Sequence, residues 1–151
     1  MIDKIWIYSL CPTWSFIINV LFWAFHPHKI MPTLQKIKEV ETRVSTIKDI
    51  KKELKKLSWV SDHFKDWTPW LVTFVCRGYK DDCDGAAIFG RFLFSCIGIK
   101  SKIYYLRGPG SGHAVCVTAL GNWMVSNNRL IALDGPKDIL KHFNGNYIRI
   151  L

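Results

Sequence analysis

Residues 81–87 read Asp81-Asp82-Cys83-Asp84-Gly85-Ala86-Ala87 and place a thiol where an apolar helix begins. The apolar run of this helix covers residues 86–97 and is followed by Gly98, a typical C-terminal cap, while Asp82 or Asp84 can cap its start. A thiol in the first turn of a helix lies near the positive end of the helix dipole and near unpaired backbone N–H groups, and both favour the thiolate. We therefore interpret Cys83 as a nucleophile.

The carboxylates on either side of Cys83 oppose this assignment, because nearby negative charge disfavours a thiolate. A cation must offset them, and histidine is the usual partner of a catalytic cysteine. Free cysteine is also a common core residue, and Cys76, Cys96 and Cys116 lie in apolar runs where that role is expected. The acidic, turn-like approach distinguishes Cys83 from these three.

The candidate base is His113. It follows the glycine-rich turn at residues 110–112 and begins a β-branched segment that is typical of a strand. A second strand is predicted over residues 123–128, after a turn near Gly121. An imidazole at the start of a strand can take the thiol proton of a cysteine when a neighbouring group fixes its tautomer.

Three residues are candidates for the group that orients this imidazole. A three-residue hairpin loop sets Val115 opposite Asn127 and puts Asn127 on the same face as His113, whereas a two-residue loop selects Asn128. Asp134 is a rival third member, although an aspartate in a turn has a simpler role in capping. Asn127 is the preferred residue.

With these residues in this order, the chain resembles the transglutaminase-like cysteine protease superfamily, which shares its catalytic layout with papain-like enzymes. Two departures stand out, because Asp81 occupies a position where the family usually has glycine, and Asn127 one where aspartate is common. The resemblance spans residues 59–128. Its matching pieces are Trp67-Thr68-Pro69, Asp82-Cys83-Asp84 with the alanines that follow, Gly98-Ile99, and His113-Ala114-Val115 leading to Trp123 and Asn127.

The resemblance implies an α+β domain in which the helix that bears the cysteine packs on an antiparallel sheet. It implies a thiol protease or amidase that cleaves peptide or isopeptide bonds of a protein substrate through Cys83, His113 and Asn127 and an acyl-enzyme. Small chains of this kind are often encoded by bacteriophages, which would place the protein in a virion. Related enzymes use a donor upstream of the cysteine in the oxyanion hole, and the donors available here are Trp67, Trp70 and Tyr79.

An alternative function is a non-catalytic, membrane- or virion-associated binding module that retains the fold. The acids beside Cys83, the missing glycine and the unusual N-terminal run favour it. We expect no cofactor and no metal, since no C-x-x-C spacing is present and five cysteines suit reduced thiols in a cytoplasm.

Residues 1–32 are a hydrophobic, aromatic-rich N-terminal segment. Within it, residues 5–25 are uncharged and, as a helix, long enough to cross a bilayer, but Pro12 is expected to break that helix. An interfacial or partner-bound segment therefore competes with a spanning one, and simple burial against the domain competes with both. The prediction is a membrane or hydrophobic protein partner for residues 5–25, with the domain that follows in the cytoplasm.

Residues 33–57 are predicted to form one basic amphipathic helix capped by Thr33, and residues 58–151 the catalytic domain. The net charge of +9 is concentrated partly on that helix. We interpret its basic face as solvated, because no nucleic-acid-binding motif accompanies the lysines, and nucleic acid is not an expected partner. Further elements are predicted as a strand at residues 100–106, a strand at 130–133, a short helix at 136–143 and a strand at 147–151.

Overall fold

The structure of the chain, a computed structural model, describes residues 2–60, 68–109, 111–143, 145–147 and 149–150, without the side chains of residues 2–12 and 149. The α-helices are α1 (Ile2–Phe25), α2 (Ile30–Arg43), α3 (Ile47–Leu54), α4 (Leu71–Cys76) and α5 (Cys83–Cys96), and 3-10 helices cover Pro27–Lys29 and Pro136–Phe143. The strands are β1 (Ser58–Trp59), β2 (Lys80–Asp81), β3 (Ser101–Gly108), β4 (Ser111–Thr118), β5 (Trp123–Ser126), β6 (Arg129–Ala132) and β7 (Arg149–Ile150).

The centre of the fold is a five-stranded antiparallel sheet with the strand order β6-β5-β4-β3-β7. Helix α5 covers one face of this sheet. On that face, Phe89 and Leu93 of α5 share a buried cluster with Ala114, Cys116 and Val125 of the strands. The α+β fold with the cysteine-bearing helix packed on an antiparallel sheet is therefore confirmed.

The opposite face of the sheet has its own core. There Val115, Val117 and Met124 pack against Ile139, which the 3-10 helix Pro136–Phe143 supplies. Successive residues of a strand point to opposite faces, so neighbours along β4 belong to different clusters. This alternation decides the environment of every side chain on β4.

Asp82, one of the two predicted caps, begins helix α5, and the apolar run from residue 86 follows within it. The Asp82 carboxylate accepts a hydrogen bond from the backbone N–H of Asp84 at 3.0 Å, which makes Cys83 the first helical residue. Gly98 follows the end of the helix with a positive φ of 73°, as the glycine cap predicts. Inside the helix, Gly90 allows close packing, since a Cβ there would lie 2.8 Å from Val125.

The single helix predicted over residues 33–57 is wrong, because the chain forms α2 and α3 with a break at residues 44–46. Thr46 caps α3 in a capping box with Asp49, so the local hydrogen bonds favour a new helix start over continuation. The predicted cap Thr33 lies inside α2 instead, where its hydroxyl donates to the carbonyl of Lys29 at 2.7 Å. Both helices contribute side chains to the buried cluster between α5 and the sheet.

Helix α1 continues through Pro12, so the break predicted at that residue is wrong. Among the described residues, no helix has the length and apolar character that crossing a membrane requires.

Candidate active site

Cys83 lies at the start of α5, where the sequence predicts it, and is half-buried. Its Sγ lies 3.9 Å from Oδ1 of Asp84, a long hydrogen bond. The other oxygen of the Asp84 carboxylate accepts a hydrogen bond from the hydroxyl of Thr68 at 2.8 Å. The thiol is thus held next to a carboxylate that has a partner of its own.

The acids around Cys83 have structural roles as well as charge. Asp82 caps α5, and Asp81 is buried and forms an ion pair with Arg77 at 3.1 Å. The ligand atoms of Asp82, Cys83 and Asp84 lie within 4.8 Å of one another. Hydrogen bonds and an ion pair therefore offset part of the negative charge that the sequence sets against a thiolate.

His113 is buried on the sheet face opposite α5. Its imidazole Nε2 lies 2.8 Å from the hydroxyl oxygen of Ser126, and its ring stacks on Tyr147 and meets Phe143 edge-on. Burial lowers the pKa of His113 below its usual value of 6.5, so the neutral imidazole is favoured. Within the described part of the chain, this hydrogen bond is the one its ring makes, and none joins it to Cys83.

The register of the β4–β5 hairpin explains this placement. Strand β4 ends at Thr118 and β5 begins at Trp123, so four residues connect them, and Val117 pairs with Met124. The predicted three-residue loop is wrong, and the one-residue difference exchanges the faces of β5. Ser126 consequently occupies the position beside His113 that was predicted for Asn127.

Ser126 is therefore a site residue that the sequence analysis missed. The signal was the pair of polar residues at the two ends of the turn, Thr118 and Asn122. The Thr118 hydroxyl donates to the Asn122 side chain at 2.6 Å and accepts from the backbone N–H of Trp123 at 3.1 Å. Gly121 completes the turn with a positive φ of 68°. These contacts stabilise a four-residue loop.

Asn127 lies in the two-residue turn between β5 and β6, with a positive φ of 51°, and not in a strand. Its side-chain Oδ1 is buried and has no hydrogen-bond partner among the described residues. It lines a cavity of about 120 Å³ at the start of α5. The cavity is lined by Leu57, Ser58, Trp59, Phe74, Tyr79, Asp81, Asp82, Ala86, Asn127 and Asn128.

The other predicted site residues are dispersed. Trp67 lies outside the described residues. Trp70 precedes α4 and packs its ring on Phe16, while Tyr79 lines the cavity at the start of α5. Asp134 is exposed, and its backbone N–H donates to the Asp138 carboxylate at 3.4 Å, which agrees with a turn residue.

No protein-family model and no curated protein sequence matches this chain. Its fold is similar to the solved structure of calcium-bound LapG from Legionella pneumophila, with a TM-score of 0.57. The match covers 80% of this chain and 73% of LapG at 11% sequence identity. The chain has a papain-like, transglutaminase-like fold. At this identity the likeness concerns the fold, and the roles of individual residues need their own tests.

Replacing His113 with glutamine should reduce the loss in the free energy of unfolding that occurs as the pH falls below 6.5. Because the folded-state pKa of His113 lies below 6.5, the unfolded chain binds the proton first as the pH falls. The contribution of His113 to the free energy of unfolding is therefore fully present above pH 6.5. As the pH falls from 6.5 toward the folded-state pKa, the free energy of unfolding decreases by up to about 1.4 kcal/mol per pH unit. Urea unfolding of wild type and His113→Gln between about pH 7 and pH 5 measures the two slopes. Equal slopes would contradict the buried, neutral imidazole.

Proposed function

We propose that the protein is a cysteine hydrolase that cleaves peptide or isopeptide amide bonds, with Cys83 as the nucleophile. The observation that carries the proposal is the position of Cys83, the first residue of the central helix in a fold similar to that of LapG. A protease-like fold implies protein or peptide substrates. The thiol at the helix start also has the backbone environment that favours a thiolate.

In the proposed reaction, Sγ of Cys83 attacks the amide carbonyl while His113 takes the thiol proton. His113 then gives that proton to the leaving amine as the carbon–nitrogen bond breaks, which leaves a thioester on Cys83. Water adds to the thioester and releases the acid and the thiol. The neutral imidazole favoured by burial is the form that a base requires.

This reaction requires the imidazole to exchange its partner. His113 is bonded to Ser126, and the next residue along the chain, Asn127, has a buried amide oxygen without a described partner. Such an unpaired acceptor costs about 1–3 kcal/mol, which favours a state that supplies it with a donor. Rotation of the side chain alone does not do this, because His113 lies on the sheet face opposite α5. We infer that the working site also turns the start of β4, so that the imidazole N–H pairs with Asn127 and the free ring nitrogen faces Cys83.

The second candidate is a non-catalytic binding module with the same fold, located at a membrane or in a virion. The observation in its favour is the position of His113, which faces Tyr147 and Phe143 and not α5. In such a protein Cys83 would react like an ordinary thiol, and Ser126 would be a permanent partner of the imidazole.

The similar structure, LapG, is calcium-bound, but the proposed reaction of this chain uses no calcium. Calcium takes six to eight oxygen ligands, while Asp82 and Asp84 offer carboxylates that already accept a backbone N–H and the Thr68 hydroxyl. The described residues at this position therefore do not fit a calcium site. The alkylation test of Cys83 should be run both with calcium and with a chelator, so that its result does not depend on whether calcium binds.

The test is alkylation of each cysteine by iodoacetamide, followed by mass spectrometry. At about pH 6, Cys83 in the wild type should react at least about tenfold faster than Cys96, whose pKa is raised by burial. Cys116 is a second internal control, because burial raises its pKa to about 11. His113→Ala should remove the advantage of Cys83.

Two further variants separate the candidate functions. If the imidazole exchanges partners, Ser126→Ala should raise the alkylation rate of Cys83 and Asn127→Ala should lower it. A rate for Cys83 that is the same in the wild type, His113→Ala and Asn127→Ala would end the hydrolase proposal and leave the binding module. Near-ultraviolet circular dichroism of each variant checks that the fold is retained.

A further inference from the structure

Helix α1 turns its polar residues toward the domain. Asn19 is fully buried, and its amide oxygen accepts from the backbone N–H of Trp70 at 2.8 Å and from the Thr73 hydroxyl at 2.7 Å. Its amide nitrogen donates to the carbonyl of Thr68 at 3.1 Å. One turn earlier, the hydroxyl of Ser15 is buried and accepts from the backbone N–H of Thr68 at 2.9 Å.

The outward face of the same helix is apolar. Its large side chains follow one another at steps of one, three, one and four residues, which places them on one half of the helix. A surface helix normally has the reverse arrangement, with apolar residues inside and polar residues outside. The exposed residues on this outward face are Phe16 (56% exposed), Ile17 (42%), Val20 (42%), Leu21 (50%) and Phe25 (75%).

The start of α2 also exposes large apolar side chains. Met31 is 74% exposed and Leu34 is 44% exposed. Several large apolar side chains exposed on one part of a chain are typical of an interaction site. We call the surface formed by Phe16, Ile17, Val20, Leu21, Phe25, Met31 and Leu34 the outer face.

The segment that forms the outer face carries only cations, and the first acids, Glu39 and Glu41, follow it along α2. Between residues 5 and 38 the sequence contains Lys29, Lys36 and Lys38 and no acidic residue. All three lysines are exposed, and none forms an ion pair with another described residue. An apolar face whose own segment of the chain carries only cations is complementary to an anionic lipid surface.

We propose that the outer face binds the surface of an anionic lipid bilayer, with its apolar side chains among the acyl chains and the three lysines at the headgroups. A second copy of this chain fits the face less well, because it would bring together two proteins of net charge +9. The polar contacts of Ser15 and Asn19 keep the domain on the aqueous side of the helix. This inference does not depend on the proposed hydrolase activity.

Cosedimentation of the full chain with vesicles tests the proposal. One set contains phosphatidylcholine alone, and in the other about one third of the lipid is phosphatidylserine. We expect the wild type to bind the anionic set, and Leu21→Glu to lower that affinity at least about tenfold. Leu120→Glu is the matched control, because Leu120 is 84% exposed in the β4–β5 connection and its substitution should leave vesicle binding unchanged.

A charge variant keeps the test valid if Leu21→Glu fails to fold. Replacing the three lysines by glutamine should lower affinity for anionic vesicles at least about tenfold. The control variant, in which exposed lysines in α3 and at its C-terminal cap are replaced, should bind as the wild type does. The test variant changes Lys29, Lys36 and Lys38, and the control changes Lys48, Lys51 and Lys55.

Three outcomes would overturn the proposal. Binding to neither vesicle set would exclude a lipid surface, and equal binding to both sets would exclude the charge contribution. A dimer in light scattering that Leu21→Glu dissociates, without vesicle binding by the wild type, would show that a second copy covers the outer face. A monomer that binds anionic vesicles through the outer face supports the proposal.

Discussion

Asn19→Leu is expected to release helix α1 from the domain. The substitution keeps a side chain of similar size but removes the acceptor for Trp70 and Thr73 and the donor for Thr68, in a fully buried position. Each buried polar group left without a partner costs about 1–3 kcal/mol. Three such groups lower the docking free energy of α1 by about 3 kcal/mol or more.

Native-state hydrogen exchange measures this effect. The amides of residues 16–25 should exchange at least about a hundredfold faster in Asn19→Leu than in the wild type, while those of β4 change little. Asn146→Leu is the matched control, because Asn146 is exposed in a turn. Unchanged exchange of α1 in Asn19→Leu would show that the polar contacts do not hold the helix.

The same contacts join α1 to the surroundings of Cys83. Thr68 is the shared residue: its backbone bonds to Ser15 and Asn19, and its hydroxyl donates to Asp84, the neighbour of Cys83. Two hydrogen bonds therefore join α1 to Asp84, the neighbour of the candidate nucleophile Cys83. Any change in the position of α1 reaches the Asp84 carboxylate through Thr68.

The start of α5 could be predicted from the sequence because its determinants are local. The Asp82 cap, the apolar run after Cys83 and the glycine at position 98 all lie within one short stretch. The break between α2 and α3 was also local, in the capping box of Thr46 and Asp49, but the continuous apolar periodicity concealed it.

The position of His113 could not be predicted in the same way. It depends on the length of one hairpin loop, and a change of one residue reverses the faces of β5. The loop is fixed partly by a distant contact, since a side chain at Gly121 would collide with Pro136 at 2.5 Å. Sequence spacing alone therefore does not decide whether Ser126 or Asn127 lies beside the imidazole.

The sequence also could not predict which side of α1 faces the domain. Its apolar and aromatic composition suits burial in a core as well as contact with lipid, and the partners of Asn19 are Thr68, Trp70 and Thr73, about fifty residues away. The structure shows which half of the helix those partners occupy. The composition of residues 5–25 therefore indicated an apolar surface without showing which way it faces.

Gly85→Ala is expected to destabilise the protein, against the direction that helix propensity predicts. In a helix interior, alanine is more favourable than glycine by about 1 kcal/mol. At position 85, however, a Cβ would lie 2.7 Å from both the Asp81 Cβ and a ring carbon of Phe74. Both neighbours are buried, and Asp81 is paired with Arg77, so neither can move away cheaply.

The steric cost should exceed the gain in propensity. Overpacking of a rigid core costs about 1–3 kcal/mol and more where the neighbours are fixed, so a net loss of about 2 kcal/mol is expected in the free energy of unfolding. Urea unfolding measures it, with Gly112→Ala as the control, because a Cβ at Gly112 has ordinary contacts. Since Gly85 is two residues from Cys83, the start of α5 should shift and the alkylation rate of Cys83 should change as well. A Gly85→Ala protein as stable as the wild type or more stable would show that propensity outweighs packing there, and that the approach of α5 to β2 and α4 is looser than these distances indicate.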